Sequence, residues 1–339
     1  MRSLVVAGVL GVLMLVPVVA AADDRPVVRE EQFDTYCTPT DPALDELSGL
    51  TFSDGVLYAI GDSGTDHRVA VLDEDCAVTR WIDVPVDPYD VEDLASYGGQ
   101  LWLADVGDNL RRRDTVALTR IDPATGDGEL YRLVYPDGPH DAETVLIEPG
   151  GRPVIVTKEP SGGSGVYVPE RGATVSELPS PGPTALTKVG DLPFEGTETP
   201  GGPPFIAGSL LATGGAVSTD GTTVAVRTYN DVYLFPVVDG DVVQAVQGDP
   251  TVVALPAQPQ GEAVAFGDDG SLLVASEAAG GQLPPIERLV GATSLVSPPP
   301  APTLTETSSG GRWTFGALAG AGVLVFASIL YTFGRARRQ

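Results

Sequence analysis

Carboxylates recur in this chain at matched positions, and their spacing is the first sign of chemistry. Five segments share a polar or acidic pair, an aliphatic run, a turn glycine and a second aliphatic run: DELSGLTFSDGVLYAIGDSG, YDVEDLASYGGQLWLADVGDN, HDAETVLIEPGGRPVIVTKEP, ATGGAVSTDGTTVAVRTYND and PQGEAVAFGDDGSLLVASEAAG. Aligned on their turns, they put Glu46, Asp90, Asp141, Thr213 and Gln260 in one column, and Ser48, Glu92, Glu143, Gly215 and Glu262 in another. The ends of the second aliphatic runs add Asp62, Asp105, Glu277 and the cations Lys158 and Arg227. Carboxylates gathered on one face repel unless a cation, a proton or a ligand compensates them. Hard oxygen donors at flexible spacing suit Ca²⁺, which takes six to eight of them. Glu92, Glu143, Glu262, Asp90 and Asp141 are therefore the expected metal ligands. Lys158 and Arg227, with Asp62, Asp105 and Glu277, are the expected contacts to a bound molecule, and the two cations suit a phosphate or carboxylate. The competing reading is that these groups cap strands and turns and face water.

Other chemistry is thinly represented. His67 and His140, the two histidines, fall in loops beside the same face and are the candidate general bases, since imidazole titrates near neutrality. GDSGT at 61–65 resembles the nucleophile motif of chymotrypsin-like proteases, but there a histidine must precede it and both histidines here follow. The chain has no GxSxG elbow, P-loop, zinc-ligand spacing or EF-hand loop. Arg111, Arg112 and Arg113 read as a solvated loop.

The elements that must position these residues follow from the same repeat. Asp54-Gly55, Gly98-Gly99, Gly150-Gly151, Asp220-Gly221 and Asp269-Gly270 tolerate the positive φ of tight hairpins, so each repeat starts as two antiparallel strands. The second strands, VLYAI, QLWLA, PVIVT, TVAVR and LLVAS, are continuous aliphatic runs and should be buried on both faces. Weaker third and fourth strands follow in each repeat, and no sustained helical period appears between the two ends. The columns recur at spacings of 44, 51, 72 and 47 residues. Four strands in about 40–50 residues is the size of one propeller blade. The expectation is an all-β, five-bladed β-propeller over residues 44–295. EGTETPGGPPFIAGS (195–209) reads as a loop insertion, with a sixth blade there as the alternative. Residues 23–43 supply the outer strand that the short last repeat lacks, closing the ring.

The ends and the composition set the compartment. Residues 1–22 carry Arg2, an apolar run and Ala20-Ala21-Ala22, which is the pattern of a signal peptide cleaved after Ala22. Residues 296–312 form a Pro/Ser/Thr-rich stalk. Residues 313–333 are long and apolar enough to span a bilayer once, and arginines in the tail at 334–339 mark the cytoplasmic side. The expected location is the cell membrane, with the repeats outside. All 46 acidic residues lie outside these two apolar ends, and the whole chain has a net charge of −26, which excludes nucleic acid as a partner. Cys37 and Cys76, both in the exported part, are expected to form a disulfide.

The acidic starts of the inner strands, with the DG turns and phrases such as YPDGPHDAET and QGEAVA, resemble secreted bacterial β-propellers of the phytase-like group and uncharacterised actinobacterial exported propellers. That resemblance implies Ca²⁺ held by carboxylates at the channel mouth, with Glu92, Glu143 and Glu262 as ligands and Lys158 and Arg227 as anion contacts. Ser48 and Gly215 depart from it. Three functions stay open at this point: a module binding an anionic small molecule or a cell-envelope protein, a Ca²⁺-dependent phosphoesterase or related hydrolase, and a structural envelope protein.

Overall fold

The computed structural model describes residues 26–296. The expected signal peptide and membrane span lie outside the described residues, and among those no helix is long and apolar enough to cross a membrane. Two short strands come first, β1 (Val28–Arg29) and β2 (Asp34–Cys37). The first repeat contributes β3 (Leu47–Ser53), β4 (Val56–Gly61), β5 (Arg68–Leu72) and β6 (Val78–Asp83). The second contributes β7 (Asp93–Tyr97), β8 (Gln100–Asp105), β9 (Val116–Ile121) and β10 (Gly128–Val134), and the third β11 (Ala142–Ile147), β12 (Pro153–Thr157), β13 (Gly163–Pro169) and β14 (Thr184–Pro193). The fourth holds β15 (Ala212–Val217), β16 (Thr223–Thr228), β17 (Asp231–Pro236) and β18 (Thr251–Ala254). The fifth has only β19 (Gln260–Phe266), β20 (Leu272–Glu277) and β21 (Ile286–Leu289).

Each repeat is an antiparallel meander. In the first, Asp54 and Gly55 both take positive φ, 50° and 74°, the conformation that lets a two-residue loop follow the twist of its strands. The second strand is buried along nearly its whole length in every repeat, because it is covered on both faces. The first strands pack side by side in chain order, and β19 returns against β3, so they close a ring. Five apolar clusters fill the wedges between neighbouring repeats. This is a propeller-like, all-β fold whose core lies between sheets.

Two connections tie sheets together. β10 and β14 pair in parallel through Leu133–Thr184 and Val134–Ala185, which merges the second and third repeats into one eight-stranded sheet. The N-terminal segment bridges two others: β1 runs parallel to β18, and β2 adds antiparallel to β21 as the fourth strand of the last repeat. Cys37 on β2 forms the expected disulfide with Cys76, in the turn between β5 and β6. The bond therefore crosses the seam where the last repeat meets the first.

Residues 195–207 contain no strand. Thr197 and Thr199 each donate a hydroxyl to Asp231 at 2.6 Å, and Asn230 donates to the carbonyls of Thr199 and Gly201, so the fourth repeat holds this loop in place. One short helix, α1 (Val242–Val246), departs from the expectation of none; five residues capped by Asp241 are too few to show a period in sequence.

The backbone also corrects the alignment of the fourth repeat. Four first strands carry a bulge or irregularity near their start, at Ser48, Glu143, Thr213 and Glu262, and in the second repeat Glu92 immediately precedes β7. Ser48 donates its hydroxyl to the carbonyl of Glu92 in the next repeat, and Thr213 does the same to Gly261, both at 2.9 Å. Thr213, not Gly215, therefore shares a column with Ser48, Glu92, Glu143 and Glu262. Gly215 falls in the following aliphatic column, where a Cβ would come within 2.5 Å of Thr144 and 2.8 Å of Leu146.

Candidate cation site at the acidic mouth

The starts of the first strands and the ends of the second strands meet at one opening of the ring. Three hydrogen bonds fix them: the amides of Asp62, Gly107 and Lys158 donate to the carbonyls of Glu46, Asp90 and Asp141. By strand pairing, Asp62 in repeat one and Lys158 in repeat three are equivalent, a carboxylate against an ammonium, whereas in repeat two Val106 takes that register and Gly107 lies one residue further on. Gly107 is required there, since a Cβ would collide with the carboxylates of Glu92 and Asp90.

On one arc of the opening the charges are internally paired. Lys158 makes a short ion pair with Glu143 and lies 3.0 Å from the Tyr229 hydroxyl, which donates to Glu262 at 3.2 Å. Burial opposes the Lys158 ammonium, but Glu143, Tyr229 and Glu262 outweigh it and raise its pKa. Glu92 is also buried, and burial followed by repulsion from Glu143 and Glu262 pushes its carboxyl well up. Asp105, Asp108 and Asp141 are tied to the backbone. Asp105 accepts from the Asp90 amide at 3.0 Å and pairs with Arg113 at 2.7 Å; Asp141 accepts from the Asp108 amide at 2.8 Å; Asp108 accepts from the amides of Arg112 and Arg113. Arg113 is thus built into the mouth, not solvated.

The other arc is under-compensated. Glu46, Asp62 and Glu277 each offer a carboxylate oxygen within 4.8 Å of the others, the one such group among the described residues. The Gln260 amide donates to Glu277 and Glu262, at 2.6 and 3.3 Å. Even so, Asp62 Oδ1, Glu277 Oε1 and Glu262 Oε2 are buried without a hydrogen-bond partner. Burial, with Glu46 and Asp90 nearby, pushes Asp62 up to about 6; burial, with Asp62 and Glu46, pushes Glu277 up to about 7. Buried carboxylate oxygens with no donor are costly unless a cation meets them. An all-oxygen donor set suits Ca²⁺ and lacks the nitrogen or sulfur that Zn²⁺ favours.

Several sequence expectations change here. The carboxylates that come within 4.8 Å of one another are Glu46, Asp62 and Glu277; of the expected metal ligands, Glu92 and Glu143 lie on the lysine-paired arc, Asp90 and Asp141 on the backbone-tied network, and Glu262 between the arcs. Arg227, expected as an anion contact, is wholly buried. Pairing aligns it with Val156 and aligns Tyr229 with Lys158, so it points between sheets, because one residue of register reverses the face. Its guanidinium donates to the carbonyls of Thr228, Ala263 and Ala275 and to the Gln258 side chain, and burial pushes its pKa down to about 9. His140 is packed with Tyr135 and Tyr167, its ring nitrogens 3.1 Å from Asp137 and 3.3 Å from Glu159. His67 is half exposed, with Asp66 4.0 Å away.

Sequence reasoning missed Asp93 as a structural centre. It is fully buried in the ring, and its carboxylate accepts from the amides of Leu94, Val145 and Gly215, which are the same column in three successive repeats. Burial pushes its carboxyl up to about 8 against those donors. The signal was present, since an acidic residue directly follows the Glu92 column only in the second repeat.

No protein-family model matches this sequence, and no curated protein matches it either. Among solved structures it is similar to the glutaminyl cyclase of Myxococcus xanthus at 11% identity, covering 78% of this chain and 97% of that one with a TM-score of 0.46. It is similar to luciferin-regenerating enzyme at 14% identity, covering 77% and 96%, TM-score 0.44. It is also similar to the PQQ-bound aldose sugar dehydrogenase of Streptomyces coelicolor at 12% identity, covering 76% and 98%, TM-score 0.41.

Proposed function

We propose that this protein is a five-bladed β-propeller, exported and held at the cell membrane by its C-terminal apolar segment, that binds Ca²⁺ at the acidic mouth and through it a ligand or partner outside the cell. Five blades, rather than six, is supported by the closed ring of five first strands and the strandless stretch at 195–207. Export is supported by the apolar ends and by a disulfide suited to an oxidising compartment. The observation that carries the cation reading is the convergence of Glu46, Asp62 and Glu277 together with the unpartnered buried oxygens of Asp62 and Glu277. Three carboxylates leave room for water or a ligand oxygen in a shell of six to eight. Hydrolysis of phosphate esters would need free cations beside the metal, whereas Lys158 and Arg227 are both engaged within the protein.

Calorimetric titration of the metal-stripped protein with CaCl₂ is expected to show one strong site. Asp62→Asn and Glu277→Gln remove it and Glu143→Gln retains it. No heat and no rise in melting temperature with Ca²⁺, or undiminished binding in both variants, overturns the reading.

A further inference from the structure

The ring has a second opening, at the end where the hairpin turns lie. There the first strands of all five repeats enclose a cavity of about 510 Å³, within the range of about 300–1,000 Å³ usual for small-molecule sites. Its walls carry Phe52, Tyr97 and Phe266, and its inner end is made by Leu94, Val145 and Gly215. Those three are the residues whose amides hold the buried Asp93 carboxyl. The rim carries Asp54, Asp220 and Asp268, Glu148 also lines the space but is paired with Arg152 at 2.6 Å, and no lysine, arginine or histidine lines it. Asp220 already accepts from Ser218 and Thr222. Asp54 and Asp268 stand at the junction of the first and last repeats, with Asp268 Oδ2 3.9 Å from where a Cβ on Gly55 would lie.

We propose that this turn-side cavity is a second binding site, for a protonated organic amine carried on an aromatic or aliphatic body. An anion would meet only carboxylates there. Two carboxylates make a poor cage for a bare metal ion, which seeks six or more oxygens. An ammonium needs fewer, and its organic body can lie against the Phe52, Tyr97 and Phe266 side chains that line the space. The site is independent of the cation mouth, which lies at the opposite end of the ring.

The test uses the full-length protein in excess Ca²⁺, which keeps the acidic mouth filled, with ligand-observed NMR on phenethylamine, hexylamine, 2-phenylethanol and phenylacetate. The amines are expected to bind, the alcohol about tenfold more weakly and the acid not at all, which corresponds to about 1.4 kcal/mol for the charge. Asp54→Asn combined with Asp268→Asn is expected to weaken the amines about tenfold, and Asn tolerates the positive φ at position 54, so folding is kept. Ser53→Trp, at the rim, should block them. Equal binding of amine and alcohol, amine binding unchanged in these variants, or no amine binding at all overturns the proposal.

Discussion

The two arcs of the acidic mouth meet the same electrostatic problem with opposite residues. Lys158 and Asp62 make the same backbone hydrogen bond, to Asp141 and Glu46 respectively, so they are structural equivalents two repeats apart. In the third repeat the position carries an ammonium, which neutralises Glu143 from within the chain. In the first it carries a further carboxylate, beside Glu46 and Glu277. One arc owns its cation, and in the proposed function the other recruits one. A ring that served only as a scaffold would not need to leave buried oxygens unpaired on one side while pairing them on the other.

The largest effect expected is on the self-compensated arc. Lys158→Met leaves Glu143, 2% exposed, as a buried charge without a partner, which costs about 3–5 kcal/mol in related cases. Urea unfolding would show it, and the double variant Glu143→Gln, Lys158→Met should recover most of the loss. A cost for Lys158→Met no greater than that of a surface pair, about 1 kcal/mol or less, would erase the distinction between the arcs. Next comes the seam beneath the recruiting arc. Cys37 and Cys76 are 39 residues apart, and opening such a loop is expected to cost about 3–4 kcal/mol in the chain-entropy account. Because β2 and the turn at Cys76 flank the junction of the last and first repeats, Cys37→Ser with Cys76→Ser should also weaken Ca²⁺ binding. Unchanged affinity in that variant would mean the site does not depend on the seam.

The repeat pattern carried most of the fold in plain view. Glycine-marked turns and fully apolar second strands are local signals, and both lie where the sequence places them. What escaped was register. Arg227 and Lys158 looked equivalent because each follows an aliphatic run, but the hairpin loop at 218–223 holds one residue more than its counterpart at 148–152, and a one-residue slip turns a mouth residue into a buried staple. Asp62 and Glu277 were expected at the mouth, but their grouping with Glu46 escaped for a related reason. Glu46, Asp62 and Glu277 come from two repeats that adjoin only when the ring closes, and no single repeat contains the set. Asp93 was hidden by its amide partners, which belong to three strands and leave no pattern in any one of them.

Ca²⁺ itself is the next perturbation in size. At a hundred times its dissociation constant it should stabilise the protein by about 2.7 kcal/mol, read as a rise in melting temperature that Asp62→Asn abolishes. Without Ca²⁺ the sign with pH reverses the usual carboxylate rule. Asp62 at about 6 and Glu277 at about 7 are raised, so their contribution is complete below the unfolded value of about 4 and is lost as pH rises through 6 and 7. Metal-free protein should therefore melt lower at pH 8 than at pH 5, more steeply than Glu277→Gln does, whereas Ca²⁺ binding should tighten over the same interval as protons leave the ligands. A melting temperature independent of pH in EDTA would show that this arc is not strained by its own charge.

The smallest effect distinguishes Lys158 from the cations around it. Arg111 pairs with Glu159 at 2.8 Å, one residue from Lys158 in sequence, but the Arg111 side chain is 43% exposed. Water screens such a pair, and Glu159 keeps His140 3.3 Å away as a second neighbour. Arg111→Ala should therefore cost about 0–1 kcal/mol and leave Ca²⁺ affinity unchanged at moderate salt. If it instead destabilised the protein as much as Lys158→Met does, compensation on that arc would belong to the loop cations as a group, and the contrast between a built-in and a recruited cation would no longer rest on the single exchange of Lys158 for Asp62.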